Sequence, residues 1–264
     1  MKSGSTDPNR LVLYELLDGI AILTLDNSGR RNALSMEMLT AFKEHLERIE
    51  GDPAVRAVVL RAEGPVFSAG HDLRELQSAN EESATRIFAL CTEVMEAIRL
   101  LPQPVIAQVQ GLATAAGCQL VASCDIAVAS EEATFATPGV KIGLFCTTPG
   151  VALARSVPSK KAMEMLLTGT PISAQEALQH GLVSSVVPAE ELEERSMELA
   201  RQVAAASSHI VAIGKRAFYE QLELDRPAAY QAAQRVMVRN LRAHDAKEGI
   251  DAFLNKREPK WTDS

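Results

Sequence analysis

Two short stretches hold residue types that can stabilise an oxygen gaining negative charge: Ser68-Ala-Gly-His-Asp72 and Gly111-Leu-Ala-Thr-Ala-Ala-Gly-Cys-Gln-Leu120. Each follows an apolar, β-branched run and leads into letters that read as a helix. A helix opening leaves about four backbone N–H groups without intrahelical partners and carries about half a positive charge. Two such openings that converge would give one oxyanion two donors, an arrangement that lowers barriers in acyl chemistry. The same Gly- and Ala-rich letters also fit a close strand-to-helix contact with no chemistry. The pair, rather than either stretch alone, favours the functional reading.

Openings of this kind need strands and helices to aim them. Residues 104–109 are short, β-branched and punctuated by Gly111, which reads as a buried strand running into a tight turn; residues 115–124 then read as a buried helix. Residues 58–60 read as the strand before the first opening. Nearer the start, residues 11–15 and 20–25 alternate as a hairpin with Asp18-Gly19 at its turn. A polar loop over 26–31 ends at Asn32-Ala33-Leu34. Ser35 caps a helix whose apolar face is Leu39, Phe42, Leu46 and Ile49, and Gly51-Asp52-Pro53 stops it. This strand, loop, helix, strand order recurs around 104–129 and more weakly through 134–136 and 183–187. Such recurrence without strict sequence repetition predicts an α/β spiral of repeated units.

Helix ends mark the later segments. Thr148 precedes Pro149 at one start, Ser159 opens a run closed by Gly169, and Ser173-Ala-Gln-Glu176 is a capping box whose helix closes at Gly181. Beyond Pro188 the letters become amphipathic helices over 190–206, 210–222, 227–243 and, opened by a box at Asp245-Ala-Lys-Glu248, 249–257. Two parts are therefore expected, a core over 1–187 and a helical part over 188–264.

The paired motifs, Phe67 to Asp72 and Gly111 to Gln119 followed by Cys124-Asp125, resemble the crotonase (enoyl-CoA hydratase/isomerase) superfamily. The resemblance runs from residues 20–25 and Asn32-Ala-Leu34 to Phe253-Leu-Asn-Lys-Arg257. Residues 113–122 are similar to one subgroup especially, the third set of enoyl-CoA hydratase domain-containing proteins. It implies a crotonase-like spiral of strand-strand-helix units and a C-terminal helical part that forms trimers or pairs of trimers. It also implies an acyl-CoA or enoyl-CoA thioester as substrate, with CoA belonging to that substrate and no separate cofactor. The thioester carbonyl would be held by the backbone amides of His71 and Ala116. CoA would lie along His71, Asp72, Leu73, Arg74 and Gly117, with Phe253 and Lys256 reaching a neighbouring subunit's site.

The two glutamates that serve hydratases as acid and base correspond, by the same resemblance, to Gln119 and Gly139. A carboxamide orients water but accepts no proton near neutral pH, and general-base work is usually worth about 10² to 10⁴ in rate. An acyl-CoA enzyme of the lyase or isomerase class with a shifted or weakened reaction is one reading; a non-catalytic acyl-CoA-binding protein that kept the pocket is the other. Cys146 could serve as a nucleophile only if its pKa were lowered. Asp72 is read first as a helix cap and Glu75 as its neighbour, and the His71 side chain as a group held by a hydrogen bond. A peptidase would need a serine activated by a histidine, and no such arrangement is legible.

Composition sets the outer limits. The chain has 264 residues and is 47% hydrophobic with a formal net charge of -7, an ordinary globular balance that disfavours a nucleic-acid partner. Arg31, Arg74, Lys256 and Arg257 would supply the local cations that a phosphorylated ligand needs. Four cysteines show neither metal-ligand spacing nor the density of a secreted scaffold, so reduced thiols and no metal are expected. No membrane span is expected, and the polar letters of residues 1–10 suggest a bacterial-type cytoplasmic protein.

Overall fold

The computed structural model describes residues 11–264. A hairpin of β1 (Val12–Leu17) and β2 (Ile20–Leu25) opens the chain and leads to helix α1 (Met36–Glu50), whose N-cap Ser35 accepts a hydrogen bond from the Met38 amide. Three rounds of one pattern follow. The first is β3 (Ala57–Ala62), β4 (Val66–Ser68) and helices α2 (Leu73–Ser78) and α3 (Glu81–Leu100); the second is β5 (Val105–Val109), β6 (Leu112–Thr114) and α4 (Ala116–Ser123). The third is β7 (Ile126–Ser130), β8 (Thr134–Ala136), a 3₁₀ turn over Pro138–Ile142, α5 (Thr147–Ser156) and α6 (Ser159–Thr168). Then come β9 (Ile172–Ser173), α7 (Ala174–Gln179), β10 (Ser185–Val187), α8 (Leu192–Ala204), α9 (Ser208–Leu222), α10 (Arg226–Asn240) and α11 (His244–Leu254).

In each round the first strand joins one sheet and the second strand joins the other. The result is a six-stranded sheet in the order β1-β2-β3-β5-β7-β10 beside a four-stranded sheet in the order β4-β6-β8-β9. Within the large sheet every pairing after β1-β2 is parallel. Parallel strands covered on both faces read as continuous apolar runs, and all six residues of β2 are buried. One face of the large sheet meets the main core with Phe42, Phe67 and Phe135; the other is covered by α8 through Leu192, Met197 and Ala200 against Ile20, Val59 and Ile106. Helix α8 thus lies beyond the expected boundary at Pro188 yet packs on the core sheet.

None of the residues of α9 or α10 is buried, whereas α11 buries Asp245 and Ala252. A polar latch fixes α9 to the spiral. Lys215 Nζ donates to Asp125 Oδ2 at 2.7 Å and to the Ile98 and Gln103 carbonyls at 3.0 and 3.1 Å, while Tyr219 donates to Asp125 Oδ1 at 2.9 Å. The Lys215 side chain is 7% exposed, and burial pushes its pKa down against the pull of Asp125.

Several sequence expectations need correction. Helix α3 and strand β6 were not anticipated: the second is a three-residue strand inside what reads as a turn. Cys146, not Thr148, is the N-cap of α5, and Pro158, not Ser159, precedes α6. The box at Asp245 is not one either. Helix α11 begins at His244 with Ala243 as its N-cap, so Asp245 lies inside the first turn, and its carboxylate instead accepts from Thr262 N and Asp263 N at 2.8 Å, tying down the C-terminal tail. The Ser173–Glu176 box and the left-handed Gly169 stop are present.

Candidate functional site

The two openings meet through glycines. A Cβ built on Gly117 would stand 2.3 Å from the Ser68 carbonyl oxygen, and one on Gly70 would stand 2.9 Å from both the Thr114 oxygen and the Ala115 Cβ and 3.0 Å from the Ala116 nitrogen. Only residues without a side chain permit this approach. It brings the start of α2 and the start of α4 together, and with them His71, Asp72, Ala116, Gly117 and Gln119. Neither the His71 nor the Ala116 N–H donates to another group among the described residues. Both amides are thus without an acceptor among the described residues.

Each opening has its own support. Ahead of α2, the Ala69 amide donates to Arg31 O at 3.0 Å, Gly70 N to Ser68 Oγ at 3.3 Å, and Leu34 N to Gly70 O at 2.8 Å. Ahead of α4, Ala115 takes φ 52° and ψ -119°, a conformation that non-glycine residues seldom adopt, and its amide donates to Ala136 O at 2.9 Å.

The flanking side chains are mostly structural. Asp72 caps α2 by accepting from Arg74 N at 2.9 Å and pairs with Arg30 at 3.1 Å; although burial opposes it, these bonds hold its carboxyl below the ordinary value. Glu75 accepts from Met36 N at 3.0 Å. The His71 ring lies edge-on to Phe88 at 5.2 Å with Nδ1 3.3 Å from Leu34 O, and burial lowers its pKa, so it is neutral near pH 7. Leu73 is exposed, and Arg74 forms no ion pair among the described residues. Cations expected for a phosphorylated ligand are partly spent: Arg257 is held by Glu248 at 2.6 Å and by Asp251 at 2.6 Å. Phe253 and Lys256 lie apart from this cluster, at the end of α11, which packs on α9; Phe253 is 83% exposed and borders an apolar groove of ≈ 390 Å³ with Ile210, Gly249 and Trp261.

Gln119, three residues into α4 after Ala116, is 6% exposed, and its Oε1 has no hydrogen-bond partner among the described residues. A buried acceptor left unpaired costs about 1 to 3 kcal/mol, which a donor such as water or a substrate hydroxyl would relieve. Gly139 lies in the 3₁₀ turn, where a Cβ would meet Leu144 O at 2.6 Å and Cys146 Sγ at 2.7 Å. The Gly139 amide donates to that sulfur at 3.3 Å, and burial raises the thiol's pKa, so Cys146 is not an activated nucleophile. All four cysteines are unpaired. Among the described residues no three His, Cys, Asp or Glu side chains are grouped to hold a metal, and no helix is long and apolar enough to cross a membrane.

Comparison with known proteins bears on this site. A family model described as enoyl-CoA hydratase/isomerase matches residues 15–264. A Rattus norvegicus protein named enoyl-CoA hydratase domain-containing protein 3, mitochondrial, is 52% identical over 261 residues, which span 98% of this chain and 87% of that protein. The Homo sapiens protein of the same name is 53% identical over 247 residues, 93% of this chain and 82% of that protein. Its crystal structure superposes with a TM-score of 0.94, covering 96% of this chain and 100% of the other. An enoyl-CoA hydratase from Mycobacterium smegmatis superposes with a TM-score of 0.93 at 47% identity, covering 95% and 98%. The rat and human names both carry the word mitochondrial, which overturns the cytoplasmic placement expected from residues 1–10. Those ten residues lie outside the described structure.

Proposed function

The chain belongs to the enoyl-CoA hydratase/isomerase family, and from that premise we propose that it binds an acyl-CoA or enoyl-CoA thioester with the carbonyl oxygen between the amides of His71 and Ala116. The observation that carries this reading is the pair of unspent amides held together by Gly70 and Gly117. As a nucleophile adds or a proton leaves the α-carbon, negative charge gathers on that oxygen. Donors already fixed at that point stabilise the charge without reorganising, each worth about 3 kcal/mol.

Proton transfer sets the limit. Hydration places a hydroxyl on the β-carbon and a proton on the α-carbon, so one group must take a proton from water and another must give one. Gln119 can hold the water through its unpaired Oε1, which accepts a water hydrogen, but its carboxamide neither takes up nor releases a proton near neutral pH. Position 139 supplies no side chain. The proposed activity is therefore that of an acyl-CoA enzyme with slow hydration, or one whose main reaction is an isomerisation or thioester cleavage. The blocked space at Gly139 favours a second reading, an acyl-CoA-binding protein without turnover. Crotonyl-CoA hydration, followed by loss of the conjugated thioester absorbance, tests both. We expect rates at least about 10² to 10⁴ below those of a twin-glutamate hydratase with binding retained; rates equal to such an enzyme would refute the assignment, and binding with no turnover of any acyl-CoA would establish the second reading.

The proposal extends to assembly. Phe218, Leu222, Met237, Leu241, Phe253 and Leu254 are exposed on α9, α10 and α11 and their connections, apolar groups of the kind that line an interaction surface. A homotrimer or a pair of trimers would cover it and would bring Phe253 and Lys256 to a neighbour's thioester. Sedimentation equilibrium at micromolar protein checks this, a monomer being the contrary result.

A further inference from the structure

We propose that Asn32 is a positioning residue for the His71 amide and that it acts through Ser68; this rests on the reading of that amide as a carbonyl donor. Asn32 is 0% exposed, and two of the three groups its side chain binds lie 31 and 34 residues along the chain. Its Nδ2 donates to Glu63 O and Val66 O, both at 2.8 Å, and its Oδ1 accepts from Asn27 N at 2.8 Å. One side chain thereby closes the 27–32 loop onto the turn between β3 and β4. All three of its hydrogen-bonding positions used here are satisfied by backbone, a rigid arrangement for a buried carboxamide.

Its backbone does the aiming. Arg31 and Asn32 take φ values of 54° and 50°, the left-handed region that asparagine tolerates better than most residues. Two successive left-handed residues turn both carbonyls toward the strand end at 68–70. Arg31 O accepts the Ala69 N–H, Asn32 O accepts the Ser68 hydroxyl at 2.8 Å, and Ser68 Oγ accepts the Gly70 N–H. Leu34 N then holds Gly70 O. The amides of Ala69 and Gly70 and the carbonyl of Gly70 are thus all committed. The next N–H, that of His71, is the first left over, and its direction follows from the peptide plane of Gly70. Local letters around His71 contain none of this: Asn32 lies 36 residues before Ser68.

Two variants separate aiming from mere stability. Ser68→Ala removes the hydroxyl link and leaves the side-chain clamp; Asn32→Gly keeps the left-handed backbone and removes the clamp. The probe is crotonyl-CoA labelled with ¹³C at the thioester carbonyl, its stretching band read by difference Raman spectroscopy on the full-length protein, with affinity measured by calorimetry. In the wild type the band should fall below that of the free thioester, and in both variants it should move back toward the free value while binding persists. Turnover should drop by roughly 10- to 100-fold with KM little changed, the cost expected when a donor is displaced by a fraction of an ångström to an ångström. Ser68→Cys, which restores a weak donor, should recover part of the shift. Ser173→Ala, which removes the α7 cap whose side-chain partner is Glu176 and not either opening, should lower the melting temperature and leave the band where it is in the wild type. A lowered wild-type band kept by both variants would overturn the positioning role alone; a wild-type band at the free position would overturn the carbonyl reading and this role with it.

Discussion

At the opening of α2 the peptide groups before His71 are tied by hydrogen bonds to residues 31–34, whereas at the opening of α4 the Ala116 amide is held by packing against Ser68 and Gly70 and by the unusual backbone of Ala115. One donor is aimed by polar bonds reaching far along the sequence. The other is aimed by shape, with almost no side chain involved. Polar aiming degrades in steps as bonds are removed, while aiming by close approach tolerates no added atom. Ser68 and Gly70 serve both openings, so a change at their contact reaches both donors, whereas the Asn32 side chain touches only the first.

The sharpest way to break the packed opening is Gly117→Ala. Its methyl group would fall 2.3 Å from Ser68 O, a backbone atom that cannot swing aside, so the openings must separate. Turnover of any acyl-CoA substrate should fall by more than about 10², accompanied by a lower thermal midpoint in circular dichroism. Retained turnover would show that the contact does not set the geometry. Ala116→Pro is narrower. The change removes the N–H, but the proline ring also crowds Gly70 and strains Ala115, so kcat should fall by at least about 10² to 10³ together with a lower thermal midpoint.

A carboxylate on α4 tests the same opening from within. Gln119→Glu should raise crotonyl-CoA hydration by roughly tenfold, the lower end of what one proton carrier contributes without its partner. Gly139→Glu, the complementary change suggested by sequence alone, should yield no gain, because Leu144 O and Cys146 Sγ occupy the path of its first carbon. A double variant faster than Gln119→Glu alone would contradict that obstruction. The smallest expected effect is at the polar opening. Asp72→Ala should cost about 1 kcal/mol of stability at pH 7 through loss of the α2 cap. Because the folded pKa of Asp72 lies below its ordinary value of 3.8, that contribution is complete above the ordinary value and fades as pH falls through the folded one; the two proteins' urea midpoints should converge in acid.

Local signals were legible wherever the structure is made locally. The Asp18-Gly19 turn, the Ser35 cap, the Ser173–Glu176 box and the Gly169 stop all stand where their letters put them, since caps and turns are settled within a few residues. Family and spiral were legible from the paired motifs. Helix α3 was missed although Asn80 caps it and Ile87, Cys91, Val94 and Ile98 mark its buried face; the signal was present. Strand β6 had none, being three residues beside Gly111 that become a strand only by pairing with β4 and β8. Asp245 shows the limit of cap patterns: its letters make a box, but the Thr262 and Asp263 amides compete for the carboxylate and win. At the site, the approach of the two openings followed from glycine spacing. The clamp made by Asn32 and the filled space at Gly139 did not, because both depend on contacts between segments that share no local pattern.

That filled space also bears on descent. Some glycine codons lie a single base from a glutamate codon, so at the level of the gene an acidic residue at position 139 is a near neighbour. In the folded chain it is remote. The Leu144 carbonyl and the Cys146 sulfur occupy the volume that such a side chain would enter, and the Gly139 amide bonds to the sulfur. An acidic residue at this position would have to arrive together with a rebuilt 140–146 segment, each change being unfavourable without the other. Natural variants of this chain should then keep a glycine at 139 wherever they keep the segment that closes over it, and the two should change, when they change, as a block.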